Sequence, residues 1–228
     1  KFKSRVEEQA KKAVKIWKLV KKPNNVYSDY VSNSKDIKLK DYNKNSTNVK
    51  LYWGSENNWK TMLKETKPDI VFICTNWKNH APMVIQSMLD GAHAFCEVPL
   101  ALTTNEMWDI VNTSEKTQKH CMMMENCCFN NEELWLLNMI DKDVFGNINH
   151  AEGAYIHDLR KHLLDNDYYH KQWRIKNHQN RNGNLYPTHG LGPVCSYMDI
   201  GRGDNLKHLV SMSSNEEALS IAAKSINS

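Results

Sequence analysis

Short apolar runs alternate with helix-like segments through the middle of this chain, and this alternation constrains the fold more than any other feature. In order, the segments are an apolar run at 70–74, a helix from about Ala81 to Gly91, a run at 93–97, a helix capped by Thr103, and a run at 121–125. Strands and helices that alternate in this way form an open parallel sheet with helices on both faces. The sequence therefore predicts an α/β fold with a doubly wound, Rossmann-like sheet, in which 70–74 is buried on both faces.

The pattern changes after residue 125. A helix is predicted at about 131–142, Gly146 marks a turn, and 148–159 then alternates polar and apolar residues as a strand with one exposed face does. We expect this strand to open an antiparallel sheet. The chain then divides into a partial dinucleotide-binding domain, residues 1–125, and a partial α+β substrate-binding domain, residues 126–228.

The first 48 residues predict a helix followed by a surface insertion. Ser4 and Glu7 form a capping box, and apolar residues recur at helical spacing as far as Val20. Six lysines lie between residues 11 and 22, but no nucleic-acid motif accompanies them, so a solvated helix face is favoured and no nucleic-acid partner is expected. Residues 23–48 are polar and without periodicity, which is typical of a surface insertion.

Composition excludes several classes of protein. Hydrophobic residues make up 40% and charged residues 25% of the chain, a balance typical of globular domains and not of disordered ones. The longest apolar runs, such as 70–74, fall far short of the roughly 20 residues that span a bilayer, so no membrane span is expected. Because the chain begins with Lys1 and not with methionine, an export signal before it and the cellular compartment stay open.

The six cysteines and ten histidines predict neither a disulfide framework nor a metal centre. No C-x-x-C pair occurs, and the cysteines are interpreted as small hydrophobic residues of the core. No H-E-x-x-H or comparable ligand spacing occurs either, so no metal site is predicted. The histidines that could contribute to a zinc site are His157, His162, His170 and His178, but their spacing matches no known ligand pattern.

The loops after the predicted strands are the places where a ligand is expected. In open α/β sheets, ligands bind beyond the carboxyl ends of the strands. The first of these loops reads Thr-Asn-Trp-Lys-Asn-His at 75–80, the second begins with Glu97-Val98-Pro99, and the third contains Asn126.

These motifs resemble a known family. The stretch DIVFICTNWKNHAPMVIQSMLDGAHAFCEVPLALT is similar to the later half of the nucleotide-binding domain in the Gfo/Idh/MocA oxidoreductases. That superfamily usually carries Glu-Lys-Pro where this chain has Glu97-Val98-Pro99, and valine neither titrates nor donates a hydrogen bond. The departure is typical of glycoside hydrolase family 109, whose known activity is that of an NAD-dependent α-N-acetylgalactosaminidase. The resemblance continues through FGNINHAEGAYIHDLR, WRIKNH and GNLYPTHGLGPVCSYMDIGRGD.

The resemblance implies two sets of site residues. The implied NAD contacts are Trp77, Lys78, Asn79, His80, Glu97, Val98 and Asn126. The implied sugar contacts are Tyr155, Arg174, Tyr186, Pro187, Thr188 and His189. The Gly-rich turn of the family is expected before residue 1 and the rest of its substrate sheet after residue 228, so the doubly wound sheet is expected to be incomplete.

The resemblance also implies a mechanism. Oxidation of the hydroxyl at carbon 3 of the sugar acidifies the hydrogen on carbon 2, and the group on carbon 1 then leaves by elimination; water adds and the hydride returns. Such a cycle needs no pair of catalytic carboxylates, but it does need a base. His189 and Tyr186 are the leading candidates, because imidazole titrates near neutrality and a cation such as Arg174 can lower the pKa of a phenol.

Several alternatives remain open at this point. The chain could belong to an NAD(P)-dependent sugar dehydrogenase without hydrolytic activity, or it could be a catalytically silent sugar-binding remnant. His80 could hold its loop, and Trp77 could form a wall of the site instead of touching the cofactor. The expected partner is a glycan or glycoside containing N-acetylgalactosamine, and a homo-oligomer through the substrate-domain sheet is a further hypothesis.

Overall fold

The computed structural model describes residues 50, 52, 54–166, 168–181 and 183–226. The helices are α1 (Asn58–Thr66), α2 (Trp77–Leu89), α3 (Thr104–Thr117), α4 (Asn131–Asp141), α5 (Arg160–Leu164), α6 (Trp173–Asn180), α7 (Thr188–Tyr197) and α8 (Ala218–Ile226). The strands are β1 (Ile70–Ile73), β2 (His93–Cys96) and β3 (Cys121–Met123), and two 3₁₀ turns span Asn126–Phe129 and His170–Gln172.

The three strands form one parallel sheet in the order β1-β2-β3. Ile70 pairs with His93 and Ala94 pairs with Cys121. Helices α2 and α3 make the crossovers and pack against each other, and α2 also packs on the sheet. The predicted α/β class is therefore confirmed, and the runs 70–74 and 121–125 do contribute strands to one sheet.

The core lies between the sheet and these two helices. It is made of apolar side chains with at most a few per cent of their surface exposed; they are Ile73, Ala81, Val84, Met88, Ala94, Cys96, Ala101 and Ile110. Fully burying a side chain the size of Val84 or Met88 stabilises the fold by about 1.5–3 kcal/mol. Thr103 caps α3 as predicted, since its hydroxyl accepts from the Glu106 amide while the Glu106 carboxylate accepts from the Thr103 amide.

Two details of this half differ from the prediction. Strand β1 is not buried on both faces, since Ile70 and Phe72 are 45% and 52% exposed. The helices cover the opposite face, so the apolar run has only one buried side among the described residues. Helix α2 also begins at Trp77, earlier than the predicted Ala81, because the Asn79 amide already closes a turn on the Asn76 carbonyl.

The predicted strand at 148–159 does not form. Its backbone pairs with no other described strand, and no antiparallel sheet occurs among the described residues. A strand needs a neighbour for its backbone groups, whereas this segment packs against a helix. A Cβ on Gly153 would lie 2.4 Å from the Gly190 carbonyl oxygen in α7. Only Ile148, Ala151, Tyr155 and Leu159 of this segment are partly buried and Ile156 is exposed, so the alternation of polar and apolar residues does not mark a buried face. A homo-oligomer through the substrate-domain sheet remains a prediction.

Several predictions concern residues outside the described part of the chain. These are the helix that begins at Ser4, the lysines between 11 and 22, and the insertion at 23–48. Within the described part, no helix combines the length and the apolar character needed to cross a lipid bilayer. The six cysteines are all free, and Cys96 is buried, but Cys74 is exposed, so the interpretation of the cysteines as core residues is wrong for Cys74.

Candidate active site

His80 holds together the loops that follow β1 and β2. It lies in the first turn of α2 and is 1% exposed. Its Nδ1 lies 2.7 Å from the Pro99 carbonyl oxygen, and its Nε2 lies 3.0 Å from the Thr75 carbonyl oxygen. Because a carbonyl oxygen only accepts, a neutral ring can donate to one of them and a protonated ring to both. The side chain is thus engaged within the protein, and its contact with NAD stays a prediction.

Trp77 forms a wall between the two halves of the site. Its ring is 4% exposed, meets the ring of Trp173 edge-on at a centroid distance of 5.2 Å, and lies 5.7 Å from the ring of Tyr186. The indole is therefore packed against residues from the later part of the chain. Such aromatic contacts add about 0.5–1.5 kcal/mol each beyond the area that they bury.

Arg174 lies among three aromatic rings. Its guanidinium carbon is 5.1 Å from the ring centre of Trp77, 5.2 Å from that of Tyr169 and 5.1 Å from that of Tyr186. One terminal nitrogen donates to the Tyr169 hydroxyl over 2.9 Å. The Nε atom is buried and has no hydrogen-bond partner among the described residues. A cation with an unused buried donor is suited to binding an oxygen of a ligand.

Tyr186 connects this aromatic cluster to the loop after β2. Its hydroxyl donates to the Val98 carbonyl oxygen over 2.9 Å. Burial raises the pKa of Tyr186 to about 12, although the neighbouring Arg174 lowers it. The expectation that a cation tunes this phenol downward is therefore wrong, because the cost of burying a phenolate outweighs the attraction of the guanidinium. Tyr186 acts here as a hydrogen-bond donor.

His189 forms a close pair with Glu125, a residue that the sequence did not single out. His189 Nδ1 lies 2.5 Å from Glu125 Oε1, and the two side chains are 11% and 6% exposed. Oε1 also accepts from the Cys127 amide over 3.1 Å, while Oε2 is buried without a partner among the described residues. A carboxylate at Nδ1 fixes the ring orientation and leaves Nε2 available to receive a proton.

The sequence positions this pair by a close approach of α7 to the end of β3. Glu125 caps the 3₁₀ turn that follows β3, and His189 lies in the first turn of α7. A Cβ at Gly192 would lie 3.0 Å from Glu125 Cγ and 2.8 Å from Cys128 Sγ, so only glycine fits there without a shift. Gly190 and Gly192 therefore lie within a helix that packs closely.

Tyr155 connects the pair to the cleft. Its ring lies 4.9 Å from that of His189 and 5.6 Å from that of Tyr186, and its hydroxyl is 2.9 Å from His157 Nδ1. A cleft of about 1100 Å³ opens next to it and is lined by Trp77, Tyr155, Arg174 and Tyr186 among others. This is ample for a sugar, since pockets for small molecules hold roughly 300–1,000 Å³. His189 is not among the residues that line this cleft, but its ring is in contact with the rings of Tyr155 and Tyr186, which do line it.

The described residues fit one end of a dinucleotide. Trp77 to His80 form the first turn of a helix at the carboxyl end of β1, where open α/β sheets bind nucleotides. The Oδ1 atom of Asn76, just before this helix, is buried and has no partner among the described residues. An unused amide oxygen there can accept from a ligand hydroxyl.

The structure brings together about half of the predicted site residues. Trp77, Val98, Tyr155, Arg174, Tyr186 and His189 are joined by ring contacts or hydrogen bonds. Within the described residues, no hydrogen bond or ring contact joins Lys78, Asn79 or Asn126 to them, and the Thr188 hydroxyl is buried without a partner. Glu125 was missed because the run 121–125 predicts a strand as far as that residue, whereas β3 ends at Met123.

Comparison with known families divides the chain at nearly the point where β3 ends. Residues 8–125 match the family model described as "Oxidoreductase family, NAD-binding Rossmann fold", and residues 129–225 match "Glycosyl hydrolase 109, C-terminal domain". The chain therefore belongs to the Gfo/Idh/MocA oxidoreductase family. Its second match and its curated relatives show that the chain is similar to glycosyl hydrolase 109 proteins, and NAD is confirmed as the cofactor of this fold.

Two relatives illustrate this. The "Glycosyl hydrolase family 109 protein" of Shewanella putrefaciens is 51% identical over 174 residues, which are 76% of this chain and 38% of that protein. The protein of the same name in Shewanella pealeana is 54% identical over 163 residues, 72% of this chain and 36% of that protein. The chain thus spans about two fifths of the length of the curated relatives that it matches.

Solved structures show weaker similarity. An NAD-binding protein from Listeria innocua is 23% identical with a TM-score of 0.37, and the match covers 45% of this chain and 31% of that one. The WlbA dehydrogenase from Chromobacterium violaceum, solved with NADH and UDP-GlcNAcA, is 25% identical with a TM-score of 0.36, over 38% of this chain and 25% of that one.

Proposed function

We propose that this chain carries the acid-base site of a glycosidase that hydrolyses terminal α-N-acetylgalactosaminides with NAD as its cofactor. The observation that carries the proposal is the buried pair of His189 and Glu125. This pair lies beside Tyr186, whose hydroxyl donates to the Val98 carbonyl, and it is therefore close to Val98. A proton-transferring group is thus supplied by α7 although position 98 has none. The name shared by the relatives supports a hydrolase, and the sugar follows from the family resemblance.

His189 is the proposed base. When bound, NAD would take up a hydride from the sugar and return it later, which acidifies the hydrogen on the neighbouring carbon 2. His189 Nε2 accepts that proton, and the electron pair of the broken bond expels the group on carbon 1. Glu125 stabilises the resulting imidazolium across the 2.5 Å contact at Nδ1. Water then adds at carbon 1, the proton that it loses neutralises the departed group, and the same imidazolium returns a proton to carbon 2.

The remaining side chains bind and enclose the sugar. Tyr155 and Tyr186 present rings on which the apolar face of a pyranose can pack. Arg174 offers its unused Nε donor to a sugar oxygen. Trp77 and Trp173 close the far side of the aromatic cluster and exclude water from it. Tyr186 stays protonated at neutral pH and donates through its hydroxyl.

The test follows the hydrogen on carbon 2. The protein is a full-length chimera in which this chain replaces the matching 174 residues of the Shewanella putrefaciens relative. With an N-acetylgalactosaminide in deuterated water, we expect deuterium at carbon 2 of the released sugar. We also expect a slower turnover with substrate deuterated at carbon 2, which detects the step even where a shielded base returns its own proton.

The outcomes separate the alternatives. A free sugar ketone that accumulates with one equivalent of NADH, without label or slowing, would identify a plain sugar dehydrogenase and overturn the glycosidase. Binding of the sugar without any turnover would identify a silent sugar-binding protein. Turnover at full rate by a preparation freed of NAD would end the redox mechanism.

A further inference from the structure

Three side chains with different ligand chemistry meet where β3 ends. One ligand atom from each of Glu125, Cys127 and His189 lies within 4.8 Å of those of the other two. We propose that these three residues bind a divalent ion of the zinc class, and that the bound ion shuts off the acid-base pair. Sequence spacing does not predict this site, because His189 lies 64 residues after Glu125 and the three ligands follow no known pattern.

The set of donors suits zinc. Zinc binds thiolate, imidazole and carboxylate at about 2.0–2.3 Å, and sites with three protein ligands keep a fourth position open. These bond lengths place two ligands of one tetrahedral ion roughly 3.3–3.8 Å apart. The three ligand atoms lie within 4.8 Å of one another, so their separations exceed this ideal range by at most about 1 Å. A small rotation of the Cys127 side chain would close such a gap. Glu125 and His189, at 2.5 Å, would move apart slightly.

An unpartnered oxygen is an independent sign of a missing ligand. Glu125 is 4% exposed, and its Oε2 atom has no hydrogen-bond partner among the described residues. A buried carboxylate oxygen without a partner has lost its hydration and gained no hydrogen bond in exchange, which is destabilising. A cation beside the carboxylate would compensate that oxygen.

Binding exchanges protons for the metal. The S–H bond of Cys127 breaks, a sulfur–metal bond forms, and the proton leaves to the buffer. His189 binds as a neutral imidazole, so the proton on its coordinating nitrogen moves to the other ring nitrogen or to the buffer. Because the ligands bind the metal in their deprotonated forms, protons compete with the metal and binding strengthens as the pH rises.

The consequence for activity rests on the proposed function. With the ion in place, Glu125 no longer accepts from His189 Nδ1, and the imidazole lone pair is held by the metal. The pair then cannot accept a proton from a substrate. Zinc would therefore inhibit the enzyme reversibly, while a chelator would restore it.

Cobalt reports the site directly. Co²⁺ substitutes for zinc, and a thiolate bound to it gives charge-transfer absorption that imidazole or carboxylate ligands do not give. Titrating this chain with Co²⁺ in a thiol-free reducing buffer should produce one saturable thiolate band that Zn²⁺ abolishes. The band should disappear in Cys127→Ser and persist in Cys128→Ser, the matched control at the adjacent position. Glu125→Gln should weaken Co²⁺ binding at least about tenfold.

Each result decides something. A wild-type chain without the band, or a Cys127→Ser variant that keeps it, overturns the site, and circular dichroism shows whether the variant is folded. The full-length chimera tests the inhibition separately, and we expect Zn²⁺ to inhibit the wild type and Cys128→Ser but not Cys127→Ser. A band without inhibition would refute the regulatory part alone. A chimera that is inactive even with chelator would count against the proposed function and leave the metal site standing.

Discussion

Residues 70–123 and residues 148–217 are built by different means. The first stretch consists of strands and helices in strict alternation around a core whose members are at most 5% exposed. The second has short helices joined by open segments in which Ile156, Leu209 and Met212 are each at least 93% exposed. The local spacing of apolar residues predicts the helices and strands of the first stretch. The helices of the second stretch depend on contacts with other segments.

The acid-base site lies at the boundary between the two. Glu125 stands at the end of the sheet, and His189 comes from a helix of the irregular half. Tyr186 reaches back to the Val98 carbonyl, and Gly192 lets α7 approach Glu125. The comparison suggests a division of roles, in which core residues of the sheet set stability and residues at the boundary set activity.

The largest effect is expected at the boundary. Replacing His189 by alanine in the full-length chimera should lower kcat by about 10²–10⁴, as is typical when a general acid or base is lost. NAD should still bind, because His189 is not among the predicted cofactor contacts. His208→Ala, a change at an exposed histidine, is the control. An unchanged kcat in the His189 variant would remove this residue from the mechanism.

A substitution in the core should mainly lower stability, whereas the substitution at the boundary mainly lowers activity. Met88 is 1% exposed in the core, and Met88→Ala should lower the free energy of unfolding of this chain by about 2–5 kcal/mol. Urea denaturation followed by fluorescence measures it. Met107→Ala, at a position that is 51% exposed on α3, should change it by less than about 0.5 kcal/mol. Equal effects of the two would mean that the sheet and its helices do not form the core described.

Glu125→Gln should have an intermediate effect on activity. The amide keeps the shape of the side chain but loses the charge that stabilises an imidazolium at His189. Hydrogen bonds to charged groups are worth about 1.5–3 kcal/mol, so kcat should fall by roughly tenfold to a hundredfold. Steady-state kinetics of the chimera measures this. A fall in KM alone, with kcat unchanged, would mean that Glu125 does not act through His189.

The alternation of the regular half made most of its fold predictable. The capping box of Thr103 and Glu106 and the order of the strands follow from local spacing, and both are found. The exposed face of β1 was not predictable, because an apolar run looks the same whether one face or both are covered. The strand expected at 148–159 does not form for a related reason. An alternation of polar and apolar residues does not reveal whether a neighbouring strand is there to pair with it.

The site was predictable only in part. The family resemblance named Tyr155, Arg174, Tyr186 and His189, and the structure brings them together. It could not reveal that Glu125 stands behind His189, because their contact depends on how α7 packs on the end of β3. It also could not give the balance of burial and charge at Tyr186, which depends on depth within the fold.

The smallest expected effect is on stability, and it concerns one of the hydrogen bonds between the two stretches, that of Tyr186 with Val98. Tyr186→Phe removes the donor to the Val98 carbonyl and should cost about 0.5–1.5 kcal/mol of unfolding free energy near neutral pH.

The pH dependence of the unfolding free energy sharpens the test. Because burial raises the pKa of Tyr186 from about 10 to about 12, the folded state favours the neutral phenol. The stability due to this shift is fully present below about pH 10 and is lost as the pH rises through about 12. Urea denaturation at several values between these limits should therefore show the wild type losing stability more steeply than Tyr186→Phe, while Tyr168→Phe, at a position that is 43% exposed, follows the wild type. Parallel curves for wild type and Tyr186→Phe would show that the hydroxyl is not buried at the boundary as described.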